Sequence, residues 1–269
     1  MKNRNIAKKN PSLAESLRSH GFEGGLLTDA LSRDTYSHDA SMFEIRPEVI
    51  AQPKNSADVQ RLVRYVAANK KDIPGLSLTG RSAGTDMAGG AINNSIVVDF
   101  AKHFTNLGKV TGTTIASQPG VFYRDFERET LKSNLLMPSY PASRDMCQIG
   151  GIVNNNSGGE KSLEYGKVER FIHELKVVFA DGKEHTVKPL TKKQLEAKIN
   201  KGDFEAKLYE RVYKLCEDHY DVIKEAKPKV SKNSMGYGLW NVWDRETGIF
   251  DMTQLIIGSE GTLGLTTEA

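Results

Sequence analysis

Residues 141–166, PASRDMCQIGGIVNNNSGGEKSLEYG, hold five glycines and three consecutive asparagines. No 3.6-residue or two-residue apolar period runs through them, so the stretch reads as irregular backbone. Glycine reaches φ/ψ values closed to other residues and lets backbone approach a ligand. Asn and Ser add donors and acceptors. Alone, such a cluster is equally consistent with a surface loop. A second stretch of this kind follows an apolar run. Leu76-Ser77-Leu78-Thr79 reads as a short strand that enters Gly80-Arg81-Ser82-Ala83-Gly84-Thr85-Asp86 and then Met87-Ala88-Gly89-Gly90-Ala91. Successive N–H groups in such a turn form a nest for an anion, most often a phosphate. The stretch lacks the Gly-Lys-Ser/Thr of a Walker A loop and the GxGxxG of a dinucleotide fingerprint. A third stretch, Leu255-Ile256-Ile257 followed by Gly258-Ser259-Glu260-Gly261, reads as an apolar strand ending in a turn.

In this order and spacing the three stretches resemble the FAD-binding domain of the vanillyl-alcohol oxidase/p-cresol methylhydroxylase flavoprotein superfamily. Within it they are most similar to the D-lactate dehydrogenase/glycolate oxidase FAD-subunit branch. The resemblance runs from Tyr36 to Ala269 and takes in Tyr36-Ser37-His38-Asp39-Ala40-Ser41, Pro47 and Pro53. It implies an α+β fold of p-cresol methylhydroxylase type: an N-terminal extension over 1–35, one lobe over 36–105, a second over 106–269, and FAD in the crevice between them. In relatives a substrate-binding cap follows the segment matching Thr266-Thr267-Glu268-Ala269. The chain is therefore expected to be the cofactor half of a flavin-dependent D-2-hydroxy-acid dehydrogenase, truncated before the substrate domain, with a small 2-hydroxy acid engaged only when the cap is present. The alternatives are a non-catalytic flavin-binding module completed by a partner chain, and a reductase resembling the cell-wall UDP-sugar enolpyruvate reductases. The Gly-Ser-Glu-Gly-Thr-Leu-Gly ending fits the hydroxy-acid branch better.

The resemblance assigns roles residue by residue. Gly80 and Gly84 permit the turn, Ser82 and Thr85 add hydroxyls, Ala83 and Asp86 complete the loop, and Arg81 supplies charge or an ion pair on the surface. Pro141, Ser143 and Cys147 match the segment that passes beside flavin and pyrophosphate. Gly150 and Gly151 bring backbone to the ribityl chain, and Asn154, Asn155, Asn156 and Ser157 match contacts to ring and chain. Gly258, Glu260 and Gly261 belong to a turn packed on the cofactor, where Glu260 either fixes the loop through backbone N–H groups, the favoured role, or touches a ribose hydroxyl. Valine at Gly84 or Gly150 is expected to take the cofactor's space and leave the fold intact. Relatives with histidyl-attached flavin carry His where this chain has Thr85 and Asp86, and Cys147 lies one position out of register with the Cys used by others. Non-covalent FAD is the expectation. No catalytic acid, base or nucleophile can be named, and no His pair has metal-ligand spacing.

The remaining chain agrees with an enzyme-like domain. With 37 Lys and Arg against 34 Asp and Glu spread over 269 residues, there is no basic stripe for nucleic acid. No run is long and apolar enough to span a membrane. Two cysteines make no disulfide framework, so the expected compartment is the cytoplasm, or its membrane surface for a full-length form. Asn55 caps a helix carrying Val59, Leu62, Val63 and Val66, and Leu13–Leu17 begins another. Residues 96–100 read as a buried strand and 113–118 as an alternating one, while Phe122, Phe126 and Thr130 mark a helix within 121–134. Two runs around Asp181-Gly182 read as a hairpin. From 192 to 226 the spacing of Phe204, Leu208, Val212, Leu215, His219 and Ile223 predicts a helical segment, which Pro228 stops; the resemblance, in which this connection is often shorter, implies that it is an insertion. Residues 1–11 read as a frayed terminus.

Overall fold

The computed structural model describes residues 11–230, 233 and 236–269; residues 1–10 of the terminus read as frayed lie outside them. Helix α1 (Leu13–Ser19) starts at a reciprocal cap in which Ser12 and Glu15 satisfy each other's backbone N–H. Strand β1 (Gly25–Leu27), α2 (Ala30–Thr35), β2 (Val49–Gln52), α3 (Ser56–Asn69), β3 (Leu78–Arg81) and β4 (Ile96–Asp99) follow. They make one four-stranded sheet ordered β1-β2-β4-β3, antiparallel between β1 and β2 and parallel elsewhere. The strand expected at 76–79 lies two residues later. β4 is buried along its whole length, which is why it reads as an unbroken apolar run. Asn55 caps α3 by accepting from the Asp58 N–H, as its sequence implies. Asp58 is itself fully buried and takes donors from Glu23, Lys54 and Arg61, which meets the cost of burying a carboxylate.

The next part holds α4 (Tyr123–Leu131), α5 (Ile149–Asn154) and α6 (Ser162–Tyr165), then β5 (Leu175–Val178) and β6 (Glu184–Val187). β5 and β6 pair antiparallel around Asp181-Gly182, as expected. β7 (Leu190–Thr191) leads into the helices α7 (Lys192–Ile199), α8 (Phe204–Asp218) and α9 (Tyr220–Glu225), which together fill the helical stretch expected over 192–226. Leu215, placed on the apolar face by spacing, is exposed, and Tyr209 and Cys216 are buried instead. β8 (Trp243–Asp244) and β9 (Ile249–Phe250) join β7 in a small sheet in which β9 is central and pairs with both; α10 (Thr253–Ile256) and β10 (Leu265–Glu268) complete the fold, β10 pairing with β5. Three expectations fail. Residues 255–257 are not a strand: Leu255 and Ile256 end the short helix α10, and Ile257 is extended. Residues 113–118 form isolated bridges to 107 and 111 instead of a ladder. The segment read as irregular carries α5 and α6.

Two apolar cores form. One gathers α1, α3 and the parallel sheet around Val59, Leu62, Ile96 and Val98. The other gathers α4, α5, β5 and the helical segment around Tyr123, Ile152, Leu175 and Phe250. A charged cluster ties the β5–β6 hairpin to α7 and α8. His185 Nδ1 lies 3.4 Å from Glu205 and Nε2 lies 3.0 Å from Asp181, and Lys198 bonds Glu205 from the other side. Among the described residues no helix is long and apolar enough to cross a membrane, and no group of three His, Cys, Asp or Glu side chains is placed to hold a metal.

The hydrogen bond to Glu205, then that to Asp181, raises the His185 pKa above the ordinary 6.5 against the opposing effect of burial. A raised pKa stabilises the fold below the unfolded value and loses that contribution as pH rises through the folded one. The stability lost in His185→Gln, measured as the shift in urea midpoint, should therefore be largest near about pH 5.5 and shrink toward about pH 9. A loss that is flat or grows with pH would show that the imidazolium is not what the carboxylates hold.

Candidate functional site

β3 runs parallel to β4 and leaves the sheet at Arg81, and the ends of such strands are where parallel sheets meet ligands. Residues 82–86 follow as an open loop. Among the described residues, no backbone or side-chain acceptor bonds the N–H groups of Ser82, Ala83, Gly84, Thr85 or Asp86. The loop is held from its two ends. Ser82 Oγ donates to the Pro119 carbonyl at 3.1 Å, and Asp86 Oδ2 accepts from the N–H of Gly90 at 2.6 Å and of Ala88 at 3.2 Å. Gly84 has φ 68°, and the Arg81 guanidinium folds onto it so closely that a Cβ there would lie 2.5 Å from Nη2. Arg81 also stands 5.2 Å from the centre of the Tyr36 ring. Burial draws its pKa down, with Tyr36, Asp39 and Asp99 acting in the other direction; none of these makes a salt bridge with it among the described residues. Of the two roles open to Arg81, the surface ion pair is absent among the described residues.

α5 forms the opposite wall. Its two glycines read as helix-breaking in isolation, but they are what lets the helix lie against the loop. A Cβ on Gly150 would sit 2.4 Å from Pro119 Cβ and 2.7 Å from Ser82 Oγ. The space beside Gly150 is therefore filled by the protein, and a valine there would disrupt packing instead of leaving the fold intact. Gly151 is different: a Cβ there meets only Ser82 Cβ, at 3.9 Å. Asn154 ends α5 as a junction. Its side chain donates to the Gly150 carbonyl at 2.8 Å and accepts from Thr266 at 3.3 Å, and its carbonyl accepts from the Glu260 N–H at 2.9 Å. Asn155 donates to Ser157 Oγ at 3.1 Å.

The segment 140–147 is braced from behind. Arg144 bonds both oxygens of Glu127 at 2.5 Å and covers the Tyr140 ring, whose hydroxyl donates to Glu160 at 2.9 Å. Cys147 is 2% exposed, and burial pushes its thiol up to about 11.

These walls line an open cleft between the two cores. All seven residues 80–86 line it, with Pro141, Ser143 and Cys147, then Gly150, Gly151, Asn154, Asn155 and Ser157, then Glu260 and Gly261. Two expected residues do not. Asn156, at φ 46°, bonds Glu169 through both ends of its amide. Gly258, at φ 79°, packs on the Asn156 Cβ. Both shape the turn behind the wall.

Glu260 takes a role other than the one expected. Among the described residues its carboxylate accepts no N–H; Asp86 does that work from the other wall. The two carboxylates converge on Gly90, where a Cβ would lie 2.9 Å from Asp86 Oδ2 and 3.2 Å from Glu260 Oε2. Burial, then the charge of Asp86, raises the Glu260 pKa. Gln148, Gly90, Pro119 and Leu265 also line the cleft and were not foreseen. Pro119 read only as a turn, and nothing beside Gln148 marked it. A larger hollow of about 660 Å³ lies behind α5, lined by Ile115, Phe126, Leu136 and Ile152, and contains none of the loop.

Among the described residues, those lining the cleft thus carry five N–H groups without a protein acceptor and one guanidinium on one side, and amides and apolar surface on the other. That set suits an anion attached to a longer, partly apolar body, and FAD fits this description.

The FAD binding domain family model matches residues 47–188. D-2-hydroxyglutarate dehydrogenase of Escherichia coli (strain K12) is 27% identical over 257 residues, covering 95% of this chain and 25% of that protein. Glycolate oxidase subunit GlcD of Bacillus subtilis (strain 168) is 26% identical over 242 residues, covering 88% and 39%. D-lactate dehydrogenase of Anaerostipes hadrus is 25% identical over 268 residues, covering 97% and 44%. The chain therefore spans between a quarter and under half of the length of these relatives. Among solved structures, alkyldihydroxyacetonephosphate synthase shares the fold with a TM-score of 0.63 at 18% identity, over 100% of this chain and 42% of that one. The chain belongs to the FAD binding domain family.

Proposed function

We propose that the cleft holds FAD without a covalent bond and that the domain serves a flavin-dependent dehydrogenase of D-2-hydroxy acids. The observation that carries the reading is the row of five N–H groups without acceptors beside Arg81, in a chain of this family. The three relatives are named for D-2-hydroxyglutarate, glycolate and D-lactate, and a 2-hydroxy acid is what these have in common. When bound, the flavin supplies the hydride acceptor, and the protein's part is to place and tune it. Ser82, Ala83, Gly84, Thr85 and Asp86 would hold the pyrophosphate through backbone N–H groups, with Arg81 adding charge. Gly151 leaves room for the chain that joins phosphate to ring. Asn154 and Asn155 present amides, and the apolar side chains around Cys147 exclude water. Non-covalent binding is favoured by the cleft's own chemistry. No histidine among the described residues lines it, and a thiol pushed up to about 11 is almost wholly protonated near neutrality.

Acid precipitation of the FAD-loaded protein should leave the flavin absorbance in the supernatant; a yellow pellet would overturn non-covalent binding. Gly151→Val should keep the wild-type melting temperature, since valine is a better helix residue than glycine, and should weaken FAD binding by about tenfold or more by filling the cleft. Gly150→Val should instead lose about 1–3 kcal/mol of stability through overpacking on Pro119. Wild-type flavin affinity in Gly151→Val would remove the ligand from this cleft. For the substrate class, FAD-loaded protein translated from the complete reading frame should be bleached anaerobically by D-2-hydroxyglutarate, D-lactate or glycolate. Failure of all three would reject it.

A further inference from the structure

Residues 106–118 form an irregular hairpin whose second arm is only partly paired. Thr111 and Thr114 exchange backbone hydrogen bonds across a two-residue turn that has Gly112 at φ 61°. Beyond the turn the even-numbered residues face the first arm. The Ala116 carbonyl accepts from the Gly108 N–H at 2.8 Å, and the Gln118 N–H donates to the Asn106 carbonyl at 3.0 Å. The odd-numbered residues face the other way, as alternation along an antiparallel strand requires. There Ser117 exchanges both of its bonds with Ala269: its N–H donates to the Ala269 carbonyl at 2.8 Å, and its carbonyl accepts from the Ala269 N–H at 2.9 Å. Ile115, two residues earlier, has its backbone groups on this same outer edge. Among the described residues neither its N–H nor its carbonyl has a backbone partner.

That edge borders the hollow behind α5. Ile115 and Ala269 lie on its wall with Phe126, Leu136, Ile152 and Ile172, and Leu136 is 40% exposed. An unpaired strand edge beside an apolar hollow is the pair of features that strand addition uses: backbone bonds fix the register, and alternate side chains fill the pocket. We propose that this edge and the hollow are the docking site of the segment that follows Ala269 in a longer polypeptide, which continues β10 as a strand antiparallel to 114–117. Ala269 is already paired with Ser117, so the next residues of the same strand reach Ile115 with no loop to close. A second copy or another protein would have to lose translational and rotational freedom to take the same place. The matched part is 25% to 44% of the relatives' length, so they hold ample chain outside it. Antiparallel pairing that sets Ser117 opposite Ala269 sets Ile115 opposite the second residue after Ala269. Directly opposed side chains share a face. That second residue is therefore apolar and enters the hollow beside Ile115, and its two neighbours point away.

The test compares this 269-residue chain with the polypeptide translated from the complete reading frame. The codon for the second residue after Ala269 should specify an apolar side chain. A charged residue there, or a stop directly after Ala269, would overturn the proposal. Amide exchange at Ile115 should slow by about tenfold or more in the longer polypeptide; equal exchange in the two would mean that the edge stays open and would overturn it. Cross-linking reads the register. Opposed residues of a hydrogen-bonded antiparallel pair lie about 5.5 Å apart at Cα, within reach of a disulfide. In the longer polypeptide carrying Ile115→Cys, a cysteine at the second residue after Ala269 should form an intramolecular disulfide on oxidation, and one at the first or third should not. A bond at the first or third position, no bond at any of the three, or a bond joining two chains would overturn the proposal, the last by placing a second copy on the edge. Exchange is read on wild-type protein, so a cysteine variant that fails to fold leaves the test standing.

Discussion

Backbone N–H groups can serve a ligand only if the protein withholds its own acceptors from them. Left to itself, a glycine-rich loop would fold its N–H groups onto nearby carbonyls, because an unpaired buried donor costs about 1–3 kcal/mol. Here residues 82–86 are kept open by bonds made at their ends. Ser82 is tied to Pro119 in the other half of the molecule, and Asp86 spends its carboxylate on Ala88 and Gly90 just beyond the loop. The residues between remain partly exposed, so water can meet their donors until a ligand does. The carboxylate at the end of an anion-binding loop thus has a structural purpose that its charge alone would not suggest.

The loop's position depends in turn on close approaches between the two cores. Gly150 admits Pro119 and Ser82, and a Cβ on Gly120 would meet the Phe100 carbonyl at 2.4 Å. Both contacts join the end of the parallel sheet or its exit loop to the segments around α5. A side chain at either glycine would push these segments apart. This is a rigid way to position a site.

Much of this was legible in the sequence, and what was not has identifiable causes. α3 announced itself through Asn55 and a regular apolar face, and the β5–β6 hairpin through Asp181-Gly182. The glycine-rich stretches converge as their family resemblance implies, but the local structure of two was misread. α5 forms because Gly150 packs on Ser82 and Pro119, a tertiary gain that outweighs poor helix propensity and leaves no trace in periodicity. Leu255-Ile256-Ile257 is too short for its apolar run to distinguish strand from helix. Asn156 and Gly258 belong to the right motifs but use positive φ values to turn the chain behind the cleft. Gln148 was missed because only the fold brings it to the cleft wall.

Charge is distributed unevenly along the cleft. Free N–H groups and Arg81 gather at the loop, and the carboxylates of Asp86 and Glu260 meet at Gly90. Of these two, Asp86 is satisfied by backbone donors. Glu260 is held at φ 52°, a conformation costly for any residue with a side chain, and its carboxylate has no hydrogen-bond partner among the described residues. Burial and the neighbouring charge both work against its ionised form. Glycine would relieve the backbone strain, and any neutral residue would relieve the repulsion.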